Sequence, residues 1–352
     1  MNIKITGTGC YIPSEKESNS AFLQHEFFDS DGVPFDTPNE TIIEKFEAIT
    51  GIAERRYAKT ELNTSDIAFV AAENAIKDSG IDPETLDYII VAHNLGDVNH
   101  DSIQGDIIPC LAARVKHKLN ISNPKCVAYD LIFGCPGWVE GLIQAQAFIR
   151  AGMARKCLVI GAEILSRVTD RHDRDSMIFS DGAGATVVES CEEDCGILAF
   201  ESASYTRDEV GYLFNGGSYN RALPQNIRYI KMHGRKIYEF ACIHVPQAMK
   251  ECLDKSGISI DNVRKIFIHQ ANEKMDAAII KRFYRLYNKP VPPGIMPMNI
   301  HKMGNSSVAT IPTLLDMVKK GEIEQQSVHK GDVIIFASVG AGMNLNAVVY
   351  KC

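Results

Sequence analysis

Two stretches of this chain repeat one another, and the repeat limits the possible fold more than any other feature. Residues 78–94 read DSGIDPETLDYIIVAHN and residues 255–272 read KSGISIDNVRKIFIHQAN. Each opens on a helix end, passes through Ser-Gly-Ile and a short polar stretch, and enters an apolar strand that stops at a histidine, His93 or His269. Upstream of each runs a helical pattern. In 64–79, Ala68, Ala71, Ala72 and Ala75 fall on related faces behind Thr64 and Ser65. In 235–256, Ile237, Phe240, Ala241, Ile243, His244, Ala248 and Met249 recur at helical spacing. Later strands also correspond: 157–163 (CLVIGAE) with 333–340 (VIIFASVG), and 185–188 with 346–350. Each half therefore reads strand, helix, strand, helix, strand, strand. Ile89-Ile90-Val91 and Val333-Ile334-Ile335-Phe336 are apolar on both faces, as strands covered by helices on both sides must be. The expectation is two copies of a mixed α/β unit packed into one layered core.

Composition narrows the function. With 352 residues, 45% of them apolar, the chain can bury a large core without disulfides or a structural metal. Its formal charge of −7 argues against a general nucleic-acid binder. No apolar run is long enough for a membrane helix, and residues 1–7 (MNIKITG) carry no secretory pattern. The ten cysteines are scattered, with no Cys-x-x-Cys pair. Cys191 and Cys195 bracket an acidic turn without histidines, so no metal site is expected. A reduced, cytoplasmic protein is the expectation.

No nucleotide fingerprint is present. Gly7-x-Gly9 follows the first strand but lacks the third glycine and the helix behind it. Asp181-Gly182-Ala183-Gly184 and Gly340-x-Gly342 lead into strands. These glycines are read as sites of close backbone approach or positive φ.

Three segments could meet as a nucleophile site. In Asp130–Trp138 (DLIFGCPGW) a strand ends near Phe133 and a helix opens, with Pro136 suited to its first turn. Cys135 then sits at a helix N-terminus, where free N–H groups and the helix dipole favour a thiolate. A buried structural cysteine fits the position equally well. In Phe267–Asn272 (FIHQAN), His269 stands where strand gives way to helix, aimed into a cleft or capping the helix. In His301–Ser307 (HKMGNSS) a glycine-flexed loop presents Asn305 before a helix, where Asn305 or Ser306 could equally be an N-cap.

These motifs, in this order, resemble the thiolase-like condensing enzymes, and most closely the β-ketoacyl-acyl carrier protein synthase III branch. Gly7–Pro13 (GTGCYIP), Thr50–Arg56 (TGIAERR), Phe179–Ala185 (FSDGAGA), HQAN at 269–272, GNSS at 304–307 and the Gly340-Ala341-Gly342 turn carry the resemblance nearly end to end. It implies a duplicated αβαβα fold, with a half at 1–190 bearing the nucleophile and a half at 191–352 bearing the histidine and asparagine. It implies the catalytic set Cys135, His269 and Asn305. Cys135 would take an acyl group from a thioester. His269 and Asn305 would stabilise the enolate formed when a malonyl-type thioester loses carbon dioxide. The backbone N–H of Cys135 and that of Gly340 or Gly342 would hold the tetrahedral oxyanion.

The resemblance also implies a homodimer, with Ile107, Ile108 and Pro109 crossing the interface to line the partner's acyl tunnel. An acidic acyl carrier protein would dock on Lys274, Lys281 and Arg282, with Arg285 beyond them. No bound cofactor is implied; acyl-CoA or acyl-carrier-protein thioesters are the substrates.

Departures matter. Lys45 and Ile49 stand where starter synthases place a tryptophan and an arginine on the coenzyme A adenine, which favours a carrier-protein donor. Phe133 and Trp138 flank the nucleophile in place of smaller residues and either shape the acyl tunnel or pack the core. A specialised pathway, such as dialkylresorcinol synthesis, and an inert carrier-protein-binding scaffold are the alternatives. Hydroxymethylglutaryl-CoA synthases need a catalytic glutamate, and the loop after residue 93 offers Asp97 instead.

Overall fold

The computed structural model describes residues 2–102 and 104–352. The core strands are β1 (Asn2–Tyr11), β2 (Tyr88–Ala92), β3 (Val127–Leu131), β4 (Lys156–Ile164), β5 (Asp181–Cys191), β6 (Gly196–Ser204), β7 (Val263–Ile268), β8 (Val333–Gly340) and β9 (Asn344–Lys351). The longer helices are α1 (Asn39–Thr50), α2 (Thr64–Ser79), α3 (Leu111–Lys118), α4 (Gly137–Arg150), α5 (Gly234–Ser256), α6 (Glu273–Arg285) and α7 (Thr310–Lys319). One sheet runs β1-β5-β4-β2-β3 and the other β6-β9-β8-β7. Under the repeat, β6 answers to β1, β9 to β5, β8 to β4 and β7 to β2. The two sheets thus share one strand order. Only β3 lacks a counterpart strand among the described residues. In the second half the Ile266 N–H donates instead to the Ile295 carbonyl, 2.8 Å away in an irregular segment.

Strand alternation builds the layers. On β8, Ile334 and Phe336 join a central cluster with Trp138, Leu142 and Ile149 of α4 and with Ile311, Leu314 and Val318 of α7. Val333, Ile335, Ala337 and Val339 face the other way, onto α5 and α6. On β4, Val159 points to the central cluster. Leu158, Ile160 and Ala162 pack against α2 and α3. The order is therefore α2/α3, sheet, α4/α7, sheet, α5/α6, a thiolase-like αβαβα fold. Each fully buried aliphatic side chain contributes roughly 1.5–3 kcal/mol relative to leaving it in water.

Gly7 and Gly9 lie inside β1 rather than after it, and their role is close packing. A Cβ on either would sit 2.3 Å from the backbone of Ala75 on α2. The Asp181–Ala185 glycines likewise lie within β5. No described helix is long and apolar enough to cross a membrane.

One buried carboxyl has a pH consequence. Asp276 on α6 is fully buried, and neither carboxyl oxygen has a hydrogen-bond partner. Burial, helped by the charge of Glu273, pushes its titration well above the ordinary 3.8. The unfolded chain releases this proton near the ordinary value while the folded chain keeps it. Stability is therefore lost as pH rises above that value towards the folded one. Asp276→Asn should melt a few degrees higher than the native protein at about pH 7.5, with the gain vanishing near pH 4. Thermal melts across that range check this; a pH-independent difference would sink it.

Candidate active site

The sheet ends bring three loops together. After β3 the chain turns through Ile132–Pro136, with Cys135 immediately before Pro136, the residue that caps α4. The C-terminal strand pins this turn. Asn346 Nδ2 donates to the Pro136 carbonyl at 3.0 Å, and Asn344 Nδ2 to that of Phe133 at 3.4 Å. Gly340 lies directly on the Cys135 backbone: a Cβ there would sit 2.4 Å from the Cys135 nitrogen.

His269 follows β7, and its N–H extends the sheet by donating to the Ala337 carbonyl at 2.9 Å. The helix-capping role belongs to Asn272, whose Oδ1 accepts the Met275 N–H at 3.0 Å. Gln270 is buried and holds the next loop, donating to the Pro297 carbonyl and accepting from Asn299 and Ile300. The histidine is thus free of local duty.

Asn305 is fixed through its backbone. Its N–H donates to Ile178 and its carbonyl accepts from Ser180. The TGIAERR segment braces the same loop. Buried Arg55 donates to the Met177 and Glu17 carbonyls and to Asn19 Oδ1, while Arg56 reaches the Lys302 carbonyl.

Ser307 joins the three residues. Its hydroxyl donates to Cys135 Sγ at 3.2 Å, its N–H donates to Asn305 Oδ1 at 2.8 Å, and its backbone lies close enough to the His269 ring to influence its titration. It holds a left-handed conformation, φ 53°, which side-chain-bearing residues rarely adopt and which recurs at functional sites. Because Asn305 Oδ1 is occupied, its Nδ2 is the donor left for a ligand. His269, Asn305 and Ser307 are each about 5% exposed.

Burial sets the resting protonation. It pushes the Cys135 thiol up to about 11, although the Ser307 hydrogen bond pulls it down. The depressed thiol expected from a helix N-terminus is thereby corrected: Cys135 sits outside the first turn, and withdrawing a thiolate from water outweighs one hydroxyl donor. Burial lowers His269 to about 4, against the opposing pull of the nearby Ser307 backbone. The resting pair is a neutral thiol beside a neutral imidazole. A neutral imidazole can donate a hydrogen bond to a developing oxyanion.

The other sequence-predicted residues fall elsewhere. Trp138 is corrected from tunnel to core: it is about 1% exposed and packs edge-on against Phe336, ring centroids 5.4 Å apart. Its position just inside α4 turns it between the two sheets. Phe133 stays half-buried beside exposed Ile132. Ile108 is 86% exposed, far beyond what a side chain settled in its own chain would show. Gly342 neighbours the Asn344 side chain, whereas Gly340 makes the contact with Cys135. Lys274 and Lys281 are exposed on α6, but Arg282 is tied to α5 through the Cys242 carbonyl at 2.8 Å. Lys45 and Ile49 lie exposed on α1. Asp97 is spent on structure, accepting from Ser65 and pairing with Arg114 at 2.7 Å. His93, the repeat partner of His269, binds Asp130 at 2.8 Å through Nε2 and accepts the Gly96 N–H at Nδ1.

Two polar residues at the site escaped the sequence reading. Glu163 ends β4 fully buried, with Oε2 accepting the Asn94 N–H at 2.9 Å and Asn94 Nδ2 at 2.7 Å. The signal was present: one acid closes the otherwise apolar run CLVIGAE, and Asn94 adjoins a strand-end histidine.

Known proteins resemble this chain over nearly its whole length. Residues 129–206 match the family described as 3-oxoacyl-[acyl-carrier-protein] synthase III, and residues 253–352 match its C-terminal part. The chain is 35% identical to the beta-ketoacyl-[acyl-carrier-protein] synthase III of Caldanaerobacter subterraneus subsp. tengcongensis, covering 99% of this chain and 97% of that protein. It is 31% identical to the Staphylococcus haemolyticus protein of the same name, covering 100% and 99%. The crystal structure of 3-oxoacyl-[acyl-carrier-protein] synthase III from Aquifex aeolicus superposes with a TM-score of 0.81 at 31% identity, over 99% of this chain and 100% of that one.

Proposed function

The chain belongs to the 3-oxoacyl-[acyl-carrier-protein] synthase III family of acyltransferases, and from that premise we propose that Cys135 takes an acyl group from a thioester and passes it to a decarboxylated malonyl- or β-ketoacyl-type thioester. The observation that carries this reading is the convergence of Cys135, Asn305 and His269 on Ser307.

In the first step the Cys135 sulfur attacks the thioester carbonyl, and the thiol carrier leaves with a proton. The backbone N–H of Cys135, with that of Gly340 or Gly342, holds the tetrahedral oxyanion. Contact with the Cys135 backbone favours Gly340. In the second step a malonyl-type extender loses carbon dioxide. Asn305 Nδ2 and the neutral His269 ring donate to the enolate oxygen, and the enolate carbon attacks the acyl-Cys135 carbonyl.

The carrier is read as an acyl carrier protein, docking on exposed Lys274 and Lys281. Arg282 is a weaker candidate because of its bond to α5. The homodimer reading rests on Ile107 and Ile108, 50% and 86% exposed, and Ile132, 62% exposed beside the nucleophile. Phe133, two residues before Cys135, is retained as a tunnel residue. Exposed Lys45 in place of an aromatic platform, and Ile49 in place of an arginine, favour acyl-carrier-protein over acyl-CoA donors and keep a specialised pathway as the second reading.

Intact mass after incubation with acyl-CoA and acyl-carrier-protein thioesters, beside Cys135→Ala, tests this. One acyl adduct, absent in the variant, is expected, and it should form faster from carrier protein. Acylation from acetyl-CoA alone would return the chain to fatty-acid initiation. Absence of an adduct from every donor, with folded protein, would overturn the acyl-transfer reading.

A further inference from the structure

A carboxyl group with no exposure at the end of an apolar strand needs a reason to be there. Among the described residues no lysine or arginine forms a salt bridge with Glu163; the titratable groups facing it are His93, already paired with Asp130, and Cys135. Its Oε2 accepts two hydrogen bonds, both from Asn94, and Oε1 has none. The Asn94 amide nitrogen also donates to Ser307 Oγ at 3.2 Å, and Ser307 in turn donates to Cys135 Sγ at 3.2 Å. Every donor in this chain points the same way. An Asn94 amide turned by Glu163 presents N–H, not oxygen, to Ser307. The serine oxygen then accepts on that side, and its proton is left to face sulfur.

We propose that Glu163 and Asn94 are positioning residues that aim the Ser307 hydroxyl at Cys135 Sγ, so that the thiolate is stabilised whenever Cys135 gains or releases an acyl group. The proposal rests on the reading of Cys135 as the nucleophile. Burial pushes the Glu163 carboxyl up to about 7, and its function here needs only an acceptor oxygen, which both protonation states keep. The feature is built across three distant segments. Asn94 follows β2, Glu163 ends β4, and Ser307 precedes α7 under a strained backbone. A strut that only joined β2 to β4 would not require the further bond to Ser307.

The test is the pH profile of Cys135 alkylation by iodoacetamide. It is followed on the Cys135 peptide by mass, because Cys10, Cys110, Cys191 and Cys352 are also partly accessible. This readout needs no acyl transfer, so it separates failure of this proposal from failure of the reading it rests on. Ser307→Ala should move the thiol's apparent pKa up by about one unit, which is about tenfold slower alkylation at a fixed pH below it. Asn94→Ala and Glu163→Leu should follow it. Glu163→Gln, which keeps an oxygen towards Asn94, should stay within about twofold of the native profile. If Glu163→Leu fails to fold, Asn94→Ala, at a half-buried position, decides alone. Folded Asn94→Ala with a native profile would overturn the proposal. So would a Glu163→Gln protein as slow as Glu163→Leu.

Discussion

Asn305→Asp should lose about a thousandfold in condensation while still loading Cys135 at close to the native rate. The asymmetry follows from what each oxygen and nitrogen of Asn305 does. Oδ1 accepts the Ser307 N–H at 2.8 Å, and an aspartate can keep that bond and the loop with it. Nδ2 is the donor left free for the proposed enolate, and aspartate has none; its charge would also oppose the enolate. The enolate exists only after carbon dioxide leaves, so the loading step does not meet the change. Asn305→Ala should cost about a hundred- to a thousandfold. It additionally frees the Ser307 N–H, so some loss of loading is expected there. Single-turnover acylation by intact mass and condensed product by chromatography separate the two steps. Equal losses in both steps for Asn305→Asp would sink the assignment of Asn305 to the enolate.

Lys231→Met should destabilise the protein by about 3–5 kcal/mol, the largest stability effect expected of any single change discussed. Lys231 lies on the short strand Tyr229–Met232 and is 1% exposed. Its Nζ is 2.6 Å from Asp170 Oδ2, 3.0 Å from Asp173 Oδ2 and 3.4 Å from the centre of the Tyr219 ring. Burial raises both carboxyls. For Asp170 that is overcome by Lys231 and by the N–H groups of Tyr219 and His172, so its net direction is down. For Asp173 burial wins over the same ammonium, and its net direction is up. Removing the ammonium leaves two buried carboxyls without their cation, and at neutral pH they must lose charge or lose burial. The deficit should shrink as pH falls and both protonate. Adding Asp170→Asn and Asp173→Asn to Lys231→Met should recover most of it. Urea midpoints for the single and triple variants decide; a single variant within about 1 kcal/mol of native would contradict the account.

Both expectations rest on contacts of very different visibility in the sequence. The repeat was legible because each strand run is local and its apolar pattern needs no distant partner. Strand ends at Ala92 and Ile268, the helices at 64–79 and 234–256, and the two histidines all follow from that. Cys135, His269 and Asn305 stood out because each closes a strand or opens a helix. What stayed hidden was decided by which face a residue turns to a remote segment. Trp138 sits three residues from Cys135 in sequence, yet one helical step carries it between the sheets and onto Phe336. The cysteine's environment was misjudged because local helix position is readable while burial by Gly340 and Ser307 is not. Glu163, Asn94 and Ser307 come from three segments, and only folding puts them in line. Lys231 gave no sign at all: a single lysine in YIKM reads as solvated until Asp170 and Asp173 are placed around it.

The fate of the two strand-end histidines carries a consequence for stoichiometry. A chain made of two like halves offers two equivalent strand-end positions, and nothing in a duplication by itself keeps one of them from becoming a second reaction centre. Here His93 gives Nε2 to Asp130 and Nδ1 to the Gly96 N–H, and that same Asp130 receives the first N–H groups of α3. Both ring nitrogens are spent, one of them on the carboxylate that caps a helix. His269 keeps its Nδ1 unbonded. One half has spent its histidine on rigidity, and under the proposed function the other half keeps its histidine for chemistry. A saturated preparation should accordingly carry one equivalent of acyl group for each polypeptide.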